Sequence, residues 1–544
     1  MGVITFSAGR QEEFMGSKME PRLASGNQAV AWAARHLGVS LGTGYPGTPS
    51  TEILENFSLL GGRAQWSPNE KVALEVGIGV AYGGARALVT MKHVGVNVAA
   101  DPLFTVAYTG VRGGLVLVSA DDPGMGSSQN EQDNRRYAKA ASVMMLEPAD
   151  AQEAYDFLFD AFFLSETWNL PVMFRMTTRV CHSRGIVTPR NPSPASKTPH
   201  FVRDMPSYVM IPGYARPAHR RMREKMTKIA EWNEQSDLNT LYEGDRRLGI
   251  VTSGVAFLHA REAAPYARIL KLGMTYPLPI HLIRRFAASV DRCLVIEEND
   301  PYLVESLRAE GVECEGKLEM YRFDELNVAR VRRIIARDAS PEPARPKGKP
   351  PQLCKGCPHR IAFGVMKKMD CIISGDIGCY TLSVLPPFET HDSCVCMGAS
   401  VGVGLGLRHA LPDDEARRVV SVIGDSTFMH SGLTGVVEMV YNPPKTGHVI
   451  VILDNGTTAM TGMQEHPGTG RTLDHAKTNQ VPAEDVCRAI GVKNVHVLER
   501  AGAFEKALRD GLAKAEPTVI ILRKLCSLAA PKLKKYQLAT EEET

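Results

Sequence analysis

The stretch that decides the fold is Val419-Val-Ser-Val-Ile-Gly-Asp-Ser426, an apolar run that ends in Gly-Asp-Ser. A second apolar run, 448–453, is followed by Asp454-Asn455, and 27 residues lie between Ser426 and Asp454. That separation accommodates one crossover helix between two parallel strands. Both runs are therefore predicted to be neighbouring buried strands of a parallel sheet.

Polar residues at the ends of these two strands predict a site for a metal ion and a diphosphate. Ligands of doubly wound sheets bind at the carboxyl ends of neighbouring strands, which places Asp425 and Asn455 at one crevice. Their side-chain oxygens and the backbone carbonyl near Thr457 suit Mg²⁺, and Gly424 lets the backbone approach closely. The alternative is that Gly-Asp-Ser is only a turn. The strand before it and the second strand end favour the site, which is typical of thiamine-diphosphate enzymes.

The composition is that of an ordinary globular protein. The chain has 544 residues, 44% hydrophobic and 23% charged, and 63 basic against 60 acidic residues leave a net charge of +3. This balance argues against a dedicated nucleic-acid binder. No apolar run reaches the about 18 residues of a membrane span, and the N-terminus lacks the apolar segment of a signal peptide. We therefore expect a cytoplasmic protein with no nucleic-acid or membrane partner.

Two proline-rich regions, 188–217 with seven prolines and 340–352 with five, divide the chain into three predicted α/β units. Around them, apolar runs of strand length alternate with segments of helix length. The predicted strands are 87–91, 115–119, 171–175, 248–253, 293–298, 419–423, 448–453 and 518–522. The predicted helices are 72–82, 151–164, 218–235 and 261–271. This order predicts parallel sheets covered on both faces.

Eight motifs carry a resemblance to a known family. They are Gly44-Tyr-Pro-Gly-Thr-Pro-Ser50, Asn69-Glu-Lys71, Met91-Lys-His-Val-Gly95, Gln129-Asn-Glu-Gln-Asp133, Gly375-Asp-Ile-Gly-Cys-Tyr-Thr381, Cys396-Met-Gly-Ala-Ser400, Ile423-Gly-Asp-Ser-Thr-Phe428 and Asp454-Asn-Gly-Thr-Thr-Ala-Met-Thr-Gly462. From about residue 22 to residue 530 the chain resembles the large subunits of indolepyruvate:ferredoxin oxidoreductases. Motifs this long and this widely spaced make a chance match very improbable.

The resemblance implies an α/β thiamine-diphosphate-binding fold with two doubly wound parallel-sheet domains and a transketolase C-terminal-like domain between them. The implied limits are a tail at 1–21, a pyrimidine-binding domain at 22–195, a linker at 196–245, the transketolase-like domain at 246–338, a linker at 339–352, a diphosphate-binding domain at 353–530 and a tail at 531–544. The implied reaction is the oxidative decarboxylation of a 2-oxoacid of the aryl-pyruvate type to an acyl-CoA. The implied cofactors are thiamine diphosphate and Mg²⁺, with coenzyme A as cosubstrate.

The motifs also imply the site residues. Cofactor contacts are expected from Gly47, Glu70, Gly378, Cys379, Met397, Gly398, Gly424, Asp425, Ser426, Asn455, Thr458 and Met460. The metal ligands are expected to be Asp425, Asn455 and Thr457. Substrate contacts are expected from Thr48, Lys92 and His359, with Thr48 and His93 as catalytic residues beside Glu70.

Glu70 is the expected partner of the cofactor's pyrimidine N1′, which needs a carboxylate. It precedes the predicted helix 72–82, and a lone glutamate there would ordinarily be a surface residue that stabilises the helix dipole. Glu75 is the alternative, five residues on. Thr48 and Pro49 are placed to cap and to begin a helix, so capping alone would also explain Thr48. Lys92 and His93 end a strand and either bind an acidic substrate group or pair with a carboxylate.

The cysteines are concentrated between 354 and 396, where six of the eleven lie. The spacing of Cys354 and Cys357, followed by Cys394 and Cys396 after 36 intervening residues, permits a structural zinc. The resemblance instead favours a wall of the cofactor pocket, with His359 as a polar contact. We expect no iron–sulfur cluster in this chain.

The chain departs from the family in its last part. Large subunits of this family usually end in a ferredoxin-like domain with two Cys-x₂-Cys-x₂-Cys-x₃-Cys-Pro runs, and here no cysteine follows Cys526. The expected partners are a smaller oxidoreductase subunit and a ferredoxin-like or other electron acceptor, in a homodimer or hetero-oligomer. Gly126 and Met463 stand where the family often has histidine. This difference argues against indolepyruvate as the specific substrate. The alternatives are a non-oxidative decarboxylase, carboligase or acyl-transfer enzyme, and a non-catalytic assembly subunit that binds the cofactor.

Overall fold

A computed structural model describes residues 20–194, 198–343, 348 and 350–532. The chain forms two compact units, Met1–Pro343 and Ala344–Thr544, and the division lies within the predicted linker 339–352. The two α/β domains predicted before this linker lie within the first compact unit, and their limits stay predictions. Most of the two predicted tails lies outside the described residues.

The first unit contains thirteen strands in its described part. They are β1 Arg22–Ser25, β2 Leu41–Gly44, β3 Ala64–Trp66, β4 Ala87–Lys92, β5 Leu115–Asp121, β6 Met144–Leu146, β7 Val172–Thr177, β8 Arg184–Val187, β9 Thr240–Tyr242, β10 Asp245–Ser253, β11 Ala267–Leu272, β12 Met274–Tyr276 and β13 Cys293–Ile296. A seven-stranded sheet has the order β12-β6-β7-β5-β4-β2-β3, and a four-stranded sheet has the order β13-β10-β11-β9. Strands β1 and β8 pair separately as an antiparallel ribbon.

Strand β12 explains why the first two predicted domains form one unit. It follows β11 of the smaller sheet but pairs antiparallel with β6 at the edge of the larger sheet. The other pairs of the larger sheet are parallel, as the alternation of strand and helix predicts. The chain therefore passes from one sheet to the other within a few residues, and a buried core extends over both.

Helices cover these sheets and follow the strands in sequence. They are Gly26–His36, Thr51–Leu59, Glu70–Tyr82, His93–Val98, Ala100–Thr109, Arg135–Ala141, Ala151–Trp168, Thr178–His182, Met205–Tyr208, Pro212–Asn233, Gly254–Ala263, Ile280–Ala287, Tyr302–Ala309 and Val328–Ile335, with a 3₁₀ turn at Glu319–Tyr321. The predicted linker 196–245 contains the 22-residue helix Pro212–Asn233, whose Ala218, Met222, Met226 and Ile229 are buried. Residues at this spacing form one apolar face, which packs into the core of the first unit, so this part of the linker is structured.

The predicted helix 261–271 is wrong. The helix Gly254–Ala263 ends before Ala264, and residues Ala267–Leu272 form the buried strand β11. Pro265 separates the two elements and disfavours a helical conformation for the residue before it. The sequence Ala-Arg-Ile-Leu-Lys-Leu has a helical composition, but pairing with β10 and β9 determines its conformation.

The second unit is built on a five-stranded parallel sheet. Its strands are β14 Ile372–Ser374, β15 Val419–Gly424, β16 His448–Asp454, β17 Asn494–Leu498 and β18 Pro517–Arg523, in the order β14-β15-β16-β18-β17. Its helices are His359–Lys368, Ala399–Ala410, Asp413–Ala416, Asp425–Thr427, Leu433–Tyr441, Ala483–Ile490 and Ala501–Ala513, with a π-helical turn at Phe428–Gly432 and 3₁₀ turns at Cys379–Val384 and Pro467–Thr469. The predicted strands in this unit are confirmed.

Buried apolar side chains stabilise the sheet that presents Asp425 and Asn455 at its edge. All six residues of β15 are buried, as are the first six of β16. Each fully buried valine or isoleucine contributes about 1.5–3 kcal/mol to the free energy of unfolding. Polar residues begin where these strands end, so the sheet presents them at one edge. Among the described residues, no helix combines the length and apolar character needed to cross a membrane.

Candidate active site

Asp425 is the central polar residue at the end of β15. Its side chain is buried, with Oδ1 accepting a hydrogen bond from the Ser426 amide at 2.9 Å and Oδ2 accepting one from the Gly456 amide at 2.8 Å. Burial alone raises the pKa of a carboxyl group, but the His466 imidazole and these amides hold the pKa of Asp425 below its ordinary value. The carboxylate is therefore ionised at neutral pH.

His466 is a partner of Asp425 that the sequence analysis missed. Its Nε2 lies 3.2 Å from Asp425 Oδ2, and its Nδ1 accepts a hydrogen bond from the Gly468 amide at 3.2 Å. Because Nδ1 is an acceptor, the ring proton is on Nε2 and is donated to Asp425. His466 thereby fixes the orientation of this carboxylate.

Asn455 lies beside Asp425 at the end of β16. Its Oδ1 accepts a hydrogen bond from the Thr457 amide at 3.1 Å, and its Nδ2 donates to His359 Nε2 at 3.2 Å. Burial lowers the pKa of His359 to about 4, so this ring is neutral at pH 7 and accepts the proton of Asn455. The structure thus brings His359 to the predicted metal site, although its contact with substrate stays a prediction.

The other predicted contacts of the second unit divide into two groups. Ser426 Oγ and Thr458 Oγ1 are 2.7 Å apart, so these hydroxyls join the two strand ends. Gly378, Cys379 and Met397 are half-buried in the segment between β14 and β15, whereas Met460 is 52% exposed. Their contacts with a cofactor stay predictions.

Gly398 holds the loop that contains Met397 in place. Its φ of 86° is in the left-handed region, and an added Cβ would lie 2.5 Å from Ser431 Cβ. Its amide and that of Ser400 both donate to the buried Asp376 carboxylate at 2.9 Å. Asp376 belongs to the Gly375-Asp motif, so the structure gives this motif a supporting role that the sequence analysis did not assign.

Four cysteines are neighbours in the second unit. Burial raises the pKa of Cys379 to about 11, and the neighbouring Cys357, Cys526 and Cys354 contribute to this increase. The amide of Cys526 donates to the Asn455 carbonyl at 3.0 Å, which places this group next to the Asn455 strand end. In the described part of the chain, no three or more His, Cys, Asp or Glu side chains are arranged to hold a metal ion. Cys526 was not included in the predicted group because it follows Cys379 by more than a hundred residues.

Glu70 is the first residue of the helix Glu70–Tyr82 in the first unit, and only 5% of it is exposed. Asn69 caps this helix by accepting a hydrogen bond from the Val72 amide at 2.9 Å. A Cβ added to Gly95 would lie 2.6 Å from Glu70 Oε1, so the glycine leaves the space that the carboxylate occupies. Glu75, the alternative, is exposed and forms an ion pair with Lys71. Burial therefore favours Glu70 as the catalytic carboxylate.

Gly95→Ala is expected to lower kcat by about tenfold with little loss of stability, because the added methyl group displaces the Glu70 carboxylate. The end of a flexible side chain moves at small cost, so the melting temperature is expected to change little. Gly79→Ala on the helix Glu70–Tyr82 is the matched control, because nothing lies within 4 Å of its added Cβ. Equal activity of the two variants in a steady-state assay would contradict the role of Gly95.

Thr48 lies in a turn and not at a helix N-terminus, so the predicted capping is wrong. The helix begins at Thr51, and the Ser50 amide and hydroxyl both donate to the Gly47 carbonyl. Asn27 Nδ2 donates to the Pro49 carbonyl at 2.8 Å and so holds the turn in place. A Cβ on Gly47 would lie 2.9 Å from Lys92 Cβ, which brings this turn against the end of β4.

Lys92 is the last residue of β4 and His93 follows it, so both lie at the strand end, as predicted. Lys92 Nζ donates to the Ser127 carbonyl at 2.6 Å, and burial lowers its pKa although Asp122 opposes this. The buried His93 ring has Nε2 at 3.4 Å from the Asn130 carbonyl and a pKa lowered by burial. Within the described residues His93 Nδ1 has no hydrogen-bond partner. A buried acceptor without a partner is costly, so a ligand group is the natural donor to it.

The residues present fit thiamine diphosphate and a divalent metal ion. In the first unit, Glu70 is a buried carboxylate that occupies the space left by Gly95, and His93 Nδ1 has no hydrogen-bond donor among the described residues. In the second unit, Asp425 and Asn455 offer the carboxylate and amide oxygens that Mg²⁺ prefers. Each unit therefore carries the chemistry expected for its part of the cofactor.

Comparisons with known proteins find a matching family model in each unit. Residues 376–522 match the family described as "Thiamine pyrophosphate enzyme, C-terminal TPP binding domain", and residues 32–238 match "Pyruvate flavodoxin/ferredoxin oxidoreductase, thiamine diP-bdg". The predicted α/β thiamine-diphosphate-binding fold is thereby confirmed. The solved 2-oxoglutarate:ferredoxin oxidoreductase from Magnetococcus marinus has a similar fold, with a TM-score of 0.51 and 16% identity over 58% of this chain and 65% of that one.

Curated relatives match almost the whole chain. Indolepyruvate oxidoreductase subunit IorA of Archaeoglobus fulgidus is 40% identical over 541 residues, covering 92% of this chain and 86% of the relative. The subunit of the same name from Pyrococcus horikoshii is 36% identical over 565 residues, covering 94% and 86%. The similarity includes both the Glu70 region and the Asp425 region.

Proposed function

The chain belongs to the family of indolepyruvate oxidoreductase IorA subunits, and we propose on this premise that its substrate is an aryl-pyruvate such as indolepyruvate. It is a thiamine-diphosphate-dependent enzyme of oxidative 2-oxoacid decarboxylation. We further propose that Mg²⁺ accompanies the cofactor and that coenzyme A accepts the acyl group. The observation that carries the proposal is that Asp425 and Asn455 are buried at the ends of two neighbouring strands, in a chain that is similar to IorA subunits.

The second unit holds the diphosphate end of the cofactor in this proposal. Asp425, Asn455 and the Thr457 carbonyl bind Mg²⁺, and His466 keeps the Asp425 carboxylate oriented by donating its Nε2 proton. Ser426 and Thr458 supply hydroxyl groups at the same edge of the sheet. The ionised Asp425 offsets part of the metal's charge, and the diphosphate offsets the rest.

The first unit handles the pyrimidine end and the substrate. Bound thiamine diphosphate supplies the electron sink for cleavage of the bond to the substrate carboxyl carbon. Glu70 holds a proton at the pyrimidine N1′, and His93 Nδ1 accepts a proton from the bound molecule. The turn at Thr48 and the Lys92 ammonium group bind the substrate carboxylate, because Lys92 has no carboxylate within ion-pair distance among the described residues.

Oxidative decarboxylation releases two electrons, so the enzyme needs partner proteins that accept them. The relatives are each named as a subunit, which supports a separate smaller oxidoreductase subunit and an electron acceptor of ferredoxin type for this chain. A homodimer or hetero-oligomer follows from such a subunit architecture. All eleven cysteines are free thiols, which supports a reducing, cytoplasmic location.

The substrate class is tested by steady-state kinetics on the chain purified together with its small subunit. With an artificial electron acceptor and coenzyme A, kcat/KM for indolepyruvate is expected to exceed that for 2-oxoglutarate by about tenfold or more. The product is the acyl-CoA, detected by mass spectrometry. An aldehyde or acyloin formed without acceptor would overturn the oxidative reaction in favour of a non-oxidative enzyme. Calorimetry that detects no cofactor binding would favour an assembly subunit.

A further inference from the structure

A cavity of about 430 Å³ lies in the first unit, away from the residues assigned above. It is lined by Thr109–Gly110, which lead into β5, and by Asn169–Leu170, which lead into β7. It is therefore at the amino ends of these strands, whereas Glu70 and His93 follow the carboxyl ends of β3 and β4. Its volume falls within the range of about 300–1,000 Å³ that is typical of small-molecule sites.

Positive charge dominates this cavity. Arg112, Arg221 and Lys225 line it, and Asp204 is the one carboxylate among the lining residues that the structure describes. Asp204 already accepts a hydrogen bond from the Ser207 amide at 3.3 Å, as the cap of a helical turn. In the described part of the chain, neither Arg221 nor Lys225 forms an ion pair or hydrogen bond.

The two cations on the helix Pro212–Asn233 lie close enough to repel each other. Arg221 and Lys225 are four residues apart and on one face, and like charges at this spacing are unfavourable. Burial and the Arg221 charge lower the pKa of Lys225, with no carboxylate opposing them. An anion in the cavity would remove this repulsion.

The walls are held in place without a ligand. Tyr208 stacks on Tyr82 at 4.3 Å between ring centroids, and Tyr108 stacks on His219 at 5.4 Å. Met222 and Leu170 add apolar surface. A cavity with aromatic and apolar walls beside three cations matches a molecule that has both an anionic and an apolar part.

We propose that this cavity binds a phosphate-bearing small molecule of nucleotide size, independently of the active site. The cationic side of the cavity contacts the phosphate, and the tyrosines and apolar residues contact the remainder. The proposal does not depend on the identity of the 2-oxoacid.

Calorimetric titration of the full chain with AMP tests the proposal. The protein is first saturated with thiamine diphosphate and Mg²⁺, so that AMP has no access to the diphosphate site. We expect AMP to bind with a Kd below about 1 mM, and adenosine, which lacks the charge, to bind at least about tenfold more weakly. Inorganic phosphate that binds as tightly as AMP would identify free phosphate as the ligand, and weaker phosphate binding would identify a nucleotide; both support the anion site.

Two pairs of substitutions distinguish this cavity from nonspecific charge attraction. Arg221→Gln with Lys225→Gln is expected to weaken AMP binding by about tenfold or more. Arg220→Gln with Lys228→Gln is the control, because it removes the same charge from exposed positions of the same helix outside the cavity. Unchanged AMP affinity in the first pair, equal loss in both pairs, or no AMP binding to the parent protein would overturn the proposal. Circular dichroism verifies that both double variants fold.

Discussion

Glu70→Gln is expected to lower kcat by about 10²- to 10⁴-fold, the usual contribution of a positioned acid or base. Glutamine has the same shape and fits the space that Gly95 leaves, but its amide cannot hold a proton at the pyrimidine N1′ as a carboxylate does. Thiamine-diphosphate affinity is expected to stay within about threefold, because Asp425 and Asn455 in the second unit carry the metal and the diphosphate. Steady-state kinetics and calorimetry measure the two quantities separately.

Glu75→Gln is the matched control for this prediction. It makes the same change on the same helix, at an exposed residue that pairs with Lys71. Exposed pairs of this kind contribute about 0.3–0.5 kcal/mol, so activity should stay near that of the parent enzyme. Loss of turnover in Glu75→Gln with normal turnover in Glu70→Gln would exchange the roles of the two residues.

The sequence predicts those parts of the site that follow directly from strand ends. Asp425 and Asn455 come immediately after two apolar runs, and parallel strands joined by one helix must bring their carboxyl ends together. The structure places the Asp425 carboxylate 2.8 Å from the amide of Gly456, next to Asn455. Two apolar runs and the number of residues between them are therefore enough to predict that Asp425 and Asn455 lie together.

Residues that reach the site from loops could not be predicted in the same way. His466 lies in a loop after β16 and reaches Asp425 through a turn that the Gly468 amide stabilises. Cys526 follows β18 and joins Cys354, Cys357 and Cys379 only because β16 and β18 are neighbours. Sequence separation hides such contacts, since strand order in the sheet is not encoded by local periodicity. A histidine followed by proline and glycine, close after the Asp454-Asn455 strand end, was the available signal for His466.

The division of the chain into two compact units also depends on contacts that the local sequence pattern does not reveal. Proline-rich segments mark where regular structure stops, yet a 22-residue helix begins at Pro212, within the first of them, and packs into the core of the first unit. The strand β12 then pairs with β6 over a long sequence separation. Buried ion pairs also connect these parts, with Arg135 between Asp133 and Glu297 at 2.6 and 2.7 Å. Composition therefore locates a break in the chain, whereas only long-range pairing decides whether the break separates domains.

Asp425→Asn is expected to lower the Mg²⁺-dependent affinity for thiamine diphosphate by at least about a hundredfold, because a charged metal ligand becomes neutral. Three groups donate hydrogen bonds to this carboxylate: the Ser426 and Gly456 amides and His466 Nε2. An asparagine must turn its own NH₂ group toward at least one of them. The resulting unpaired donors are expected to lower the free energy of unfolding by about 1–3 kcal/mol.

Two measurements separate loss of the site from loss of the fold. Calorimetry with increasing Mg²⁺ gives the cofactor affinity, and thermal melting gives the stability of the same preparation. Asp413→Asn is the control, since this exposed aspartate of the second unit pairs with Lys445 at 2.8 Å on the surface. Asn455→Ala removes the neighbouring ligand without changing charge, so it should weaken cofactor binding less than Asp425→Asn does. If Asp425→Asn kept its Mg²⁺-dependent affinity within about threefold of the parent, the metal would have to bind elsewhere.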